Sequence, residues 1–107
     1  MKVTKGYYGW EASSFFKIGD GPRFLKVYTG KWSSGGVACR AQAVTLTDGG
    51  YQFEVFGDFN MTLKGNLSAK CTEKAVVALQ TECEADISQV MEKAKAFYAA
   101  KAVMQAT

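Results

Sequence analysis

The 107 residues predict an α+β domain: a four- to five-stranded antiparallel sheet over residues 1–64, followed by one or two C-terminal helices packed on one face. Three observations carry this. Ten of the eleven glycines and the only proline precede residue 58, and residues 66–107 contain neither. Two turn signals, Gly19-Asp-Gly-Pro22 and Asp48-Gly49-Gly50, each stand between segments rich in aromatic and branched residues. Beyond residue 69, Val76, Leu79, Cys83, Ile87, Val90, Ala94 and Phe97 recur every three or four residues, which is the helical period. Strands that precede helices without alternating with them argue against a parallel βαβ fold.

The elements follow in order. In "KGYYGWEASSFFKIGDGPRFLKVYTGKW", residues 5–32, a four-residue loop at Gly19–Pro22 pairs Ile18 with Arg23 and Phe16 with Leu25. Phe16, Leu25 and Val27 then point one way. Phe15, Lys17, Phe24, Lys26 and Tyr28 point the other, so rings and lysines interleave on that face. After "SSGG" comes "VACRAQAVTLT", which a two-residue loop within Asp48–Gly50 joins to "YQFEVF". Val44 and Leu46 share a face with Tyr51, Phe53 and Val55, and these larger apolar residues predict the core face. Ala41, Ala43, Thr45, Gln52 and Glu54 take the other. "FNMTLKGN" supplies a short final strand.

A single helix over residues 70–104 would be ~50 Å long, too long for a small domain, so a break is expected near residues 80–85. Thr81-Glu-Cys-Glu84 has the capping-box spacing and is the expected start of the second helix. Lys93, Lys95 and Lys101 suit a helix C-terminus. Met91, Phe97, Tyr98 and Met104 offer a dimer seam, so the expected state is monomer or homodimer.

The totals bound the class. One domain, residues 1–107, accommodates this length. The net charge of +3 is unevenly spread: residues 1–64 carry eight Lys or Arg against five acids, and residues 65–107 carry five against five. Three widely spaced cysteines, Cys39, Cys71 and Cys83, without a signal-peptide pattern, predict reduced thiols and a cytoplasmic location. No apolar run approaches the ~20 residues of a membrane span.

Catalytic chemistry finds little support. Without histidine the chain lacks the commonest general base near neutral pH and the usual partner of a Ser or Cys nucleophile. The cysteine spacings fit no zinc pattern, and no cofactor or metal is expected. Glu54, Asp58 and Asp48 are the carboxylates that a small enzyme would have to use, but Glu54 is expected on the face opposite the core and Asp48 and Asp58 in turns, where a solvated charge or turn former is the expected role.

The expected function is therefore non-enzymatic: a protein that docks on a larger host protein or nucleoprotein complex, as an inhibitor of it. The expected contact residues are Phe15, Lys17, Arg23, Phe24, Lys26, Tyr28, Lys31 and Trp32, because rings and cations are what interfaces concentrate. One concrete form, suggested by size alone, is a phage or mobile-element inhibitor of host defence of the anti-CRISPR kind. Binding of single-stranded nucleic acid by the ring-and-lysine face is the alternative, and a carboxylate-dependent enzyme the third. A competing arrangement folds Tyr7, Tyr8 and Trp10 over Phe15, Phe24 and Trp32 as a second small core.

Overall fold

The computed structural model describes residues 1–19, 22–32, 35–53 and 59–106, with residues 51–53, 105 and 106 described by backbone alone. The described strands are β1 (Lys2–Gly6), β2 (Gly9–Lys17), β3 (Arg23–Lys31), β4 (Val37–Thr47), β5 (Gly50–Phe53) and β6 (Asn60–Asn66). Two helices follow, α1 (Glu73–Glu84) and α2 (Ile87–Ala106). All strand pairings are antiparallel, in the order β1-β2-β3-β4-β5, with β6 also on β4. β5 pairs with Val44–Thr47 and β6 with Val37–Gln42, so the two share the fifth position along the sheet, one above the other. The α+β architecture is the one the sequence predicts.

The first hairpin has the expected register: Phe16 pairs with Leu25, Lys17 with Phe24, and the Ile18 amide donates to the Arg23 carbonyl at 3.0 Å. Leu25 and Val27 are fully buried beneath the helices. The second hairpin turns at Asp48-Gly49, with Thr47 opposite Gly50 and Leu46 opposite Tyr51.

Its core face, however, is the reverse of the one expected. Cys39, Ala41 and Ala43, paired with Thr29, Val27 and Leu25, face the helices and are fully buried, whereas Leu46 is 45% exposed. Val44 is buried too, but on the side away from the helices, between Phe24 and the β5 backbone. The physical reason is volume. Helix and sheet fill the interior at a fixed density, and small β4 side chains leave room for Val76, Leu79 and Gln80 of α1. The core closes with Ala12, Ile18, Val37, Phe59, Cys83, Val90 and Ala94.

A bulge in β6 adjusts the last strand. Cys39 pairs with Lys64 and Arg40 with Thr62, which leaves Leu63 as the extra residue. Leu63 therefore packs on the core while Lys64, also turned to the helix side, pairs with Glu82 of α1.

The helices break at Ala85-Asp86, at the end of the expected stretch. Thr81 does not cap. It lies inside α1, exposed, and its hydroxyl donates back to the Val77 carbonyl at 2.8 Å, because the buried Leu79 and Cys83 carry the helix through it. The cap is Thr72, whose Oγ1 accepts from the Ala75 amide at 3.2 Å. Of the four residues expected to offer a dimer seam, Met91, Phe97 and Tyr98 pack half-buried against the chain's own core and Met104 is exposed; Phe97 meets Phe59 edge to face with centroids 5.9 Å apart.

One buried polar contact ties α1 to β3. Gln80, fully buried, accepts from the Thr29 hydroxyl at 2.7 Å and donates to the Val27 carbonyl at 2.9 Å. Beside it, burial pushes the Cys39 thiol up to about 12. The unfolded thiol titrates near 9.0, so the raised folded value stabilises the protein fully below pH 9, and that contribution is lost as pH rises toward 12. Urea denaturation is expected to show stability falling above pH 9, with a shallower fall for Cys39→Ala by up to ~1.4 kcal/mol per pH unit. Identical slopes for the two proteins would refute a buried, protonated thiol.

Candidate binding face

The helices cover one face of the sheet, and no described element packs on the other. Side chains alternate across a strand, so the register defines the contents of the open face. One row crosses Ser13, Tyr28, Arg40 and Thr62; the next, Phe15, Lys26, Gln42 and Asn60; the third, Lys17, Phe24 and Val44. Before the first lies a row of smaller residues, with Thr4 opposite Glu11 and Gly30 opposite Ala38.

Polar contacts hold the surface in place. The Lys26 ammonium sits 5.1 Å from the Tyr28 ring centroid, and the Tyr28 hydroxyl donates to Gln42 Oε1 at 3.5 Å. Arg40 Nη2 donates to Asn60 Oδ1 at 3.2 Å, while its buried Nε has no hydrogen-bond partner among the described residues.

The small row opens a hollow of about 500 Å³ bordered by Tyr28, Trp32, Arg40, Lys31 and Thr62. Gly30 makes the room: a Cβ there would come within 3.4 Å of Glu11 Cγ, which lies across the floor. Glu11 Oε1 reaches toward Gly6, 3.6 Å from where a Cβ on that residue would stand and away from the Tyr28 row.

Of the eight residues expected to contact a partner, Phe15, Lys17, Phe24, Lys26 and Tyr28 share this face. Trp32 and Lys31 line the hollow, and the Lys31 ammonium reaches to 4.9 Å from the Tyr8 ring centroid. Arg23 stands apart. It projects on the helix side, with its guanidinium carbon 3.6 Å from the centre of the Tyr98 ring. The expected list omits Arg40, Gly30 and Thr62; a correct face assignment for "VACRAQAV" would have brought in Arg40, two residues before Gln42 on the same side.

The N-terminal segment does not cover these residues. β1 lies beside β2 as the edge strand, Tyr7 and Tyr8 are exposed in the turn between them (Tyr7 at 94%), and Trp10 packs on the helix side. The proposed second core is thereby replaced by an extended sheet, because pairing with β2 satisfies the β1 backbone.

Among the carboxylates, Glu54 and Asp58 lie outside the described residues, and Asp48 is exposed in the hairpin turn. Among the described residues, no cluster of three His, Cys, Asp or Glu side chains is placed to hold a metal ion. No described helix is long and apolar enough to cross a membrane. No protein-family model, curated protein or solved structure matches the chain.

Proposed function

We propose that the protein is a non-enzymatic docking module that acts in the cytosol by laying the open face of its sheet on a larger host protein or nucleoprotein complex. The observation that carries the reading is the division of the sheet. Helices occupy one face, and the other gathers Phe15, Phe24 and Tyr28 with Lys17, Lys26 and Arg40 on adjacent strands. Rings supply large contact areas at low entropic cost, and cations steer encounter with acidic surfaces. An inhibitor of host defence, carried by a phage or mobile element, is the form in which such a module would block a nucleoprotein assembly.

A tagged protein used for affinity capture from a host-cell lysate is expected to retain one large assembly, identified by mass spectrometry. The Phe24→Ala, Lys26→Glu double variant, checked for native circular dichroism, is expected to lose that assembly. Undiminished capture by the folded variant would exclude this face as the docking surface.

A further inference from the structure

Resting on that docking reading, we infer that the open face is laid out for a single-stranded nucleic acid, one nucleotide to each cross-strand row. The spacing carries the argument. Each of three successive rows pairs one ring with one cation on the adjacent strand: Tyr28 with Arg40, Phe15 with Lys26, and Phe24 with Lys17. Rows are two residues apart, about 6.8 Å along the strands. That is twice the ~3.4 Å rise of a stacked strand, so an unstacked chain advances by one row per nucleotide. A base stacks on each ring while the neighbouring cation meets a phosphate.

The charges agree with this path. Lys2, opposite Ser13, adds a fourth cation at the edge of the Tyr28 row. None of the described residues of these three rows is a carboxylate; the adjoining small row holds Glu11, which turns toward Gly6, away from the Tyr28 row. Beyond Tyr28 the track opens into the hollow of about 500 Å³, which has room for one further base against Trp32 and is lined by Arg40, whose Nε has no hydrogen-bond partner among the described residues. An acidic protein surface would answer the same charges, but it has no need of one ring and one cation at each step.

The test is fluorescence anisotropy with labelled mixed-sequence oligonucleotides of about eight nucleotides, within the span of a small sheet-based site, as separate DNA and RNA arms, alongside a poly-glutamate peptide. Saturable binding is expected in at least one nucleic-acid arm, and which arm binds distinguishes the two sources of a single strand. The slope of log affinity against log salt is expected near about −2, from three phosphates at roughly −0.7 each. Tyr28→Ala is expected to weaken binding by about 5- to 150-fold. Lys17→Glu, at an exposed position that leaves the core untouched, is expected to weaken it and to lower the slope by roughly 0.7 or more. Lys74→Glu, on the exposed surface of α1, is expected to change nothing.

No saturable oligonucleotide binding at low salt, or binding indifferent to both Tyr28→Ala and Lys17→Glu, overturns the inference. Binding of poly-glutamate in place of both oligonucleotides also overturns it, and assigns the face to an acidic protein. If oligonucleotides fail while lysate capture still depends on Phe24 and Lys26, the docking reading survives without this inference. Loss of capture dependence sinks that reading separately.

Discussion

Gly36→Ala is expected to remove about 3–5 kcal/mol of folding stability, a large part of the 5–15 kcal/mol typical of a domain. Gly36 precedes β4 at a φ of +78°, where a side chain is strained by roughly 1–2 kcal/mol. The larger cost is steric. A Cβ would stand 2.3 Å from the Asn66 carbonyl oxygen and 2.5 Å from the Leu67 Cα, which are backbone atoms that cannot swing aside. Relief requires the end of β6 to move off β4, breaking the Val37–Asn66 pairing. Gly35→Ala is the control: its φ is +103°, but nothing lies within 4 Å of the added Cβ, so it isolates the conformational cost. Urea denaturation of both variants gives the steric part by difference, and equal losses would show that the β6 exit yields freely.

The Gln80→Leu variant is expected to lose about 2–4 kcal/mol although leucine fills a similar volume. The glutamine amide satisfies the Thr29 hydroxyl and the Val27 carbonyl in a place closed to water, and leucine leaves both without it. Adding Thr29→Val removes the stranded hydroxyl. The double variant is therefore expected to be more stable than the sum of single losses implies, by ~1 kcal/mol. Strict additivity in the denaturation cycle would mean that Thr29 and Gln80 act independently.

Loop length was the most informative part of the sequence. Four residues between Ile18 and Arg23, and two between Thr47 and Gly50, determine which side chains share a side, and both parities are those of the structure. Parity does not tell which side is covered. At β4 the apolar ranking favoured Val44 and Leu46, whereas helix packing selected the smaller Cys39, Ala41 and Ala43, and Arg40 was missed as a result. Gln80 was equally illegible, since a polar residue beside a helical stripe looks solvated until its partners on another element are known. The bulge at Leu63 leaves no periodic mark in seven residues, yet it directs Lys64 to Glu82. Nearness in sequence groups Arg23 with the binding residues, but alternation along β3 sends it to Tyr98 instead.

The alternation along β2, β3 and β4 also bears on how such a protein diversifies. Successive residues have different surroundings: Leu25, Val27 and Thr29 face the helices, and Phe24, Lys26 and Tyr28 face away from them. A lineage pressed by a changing target can rewrite every second letter of these strands while leaving the folding instructions intact. The same separation suits display selection, with positions 15, 17, 26, 28, 40 and 42 randomised on an unaltered scaffold.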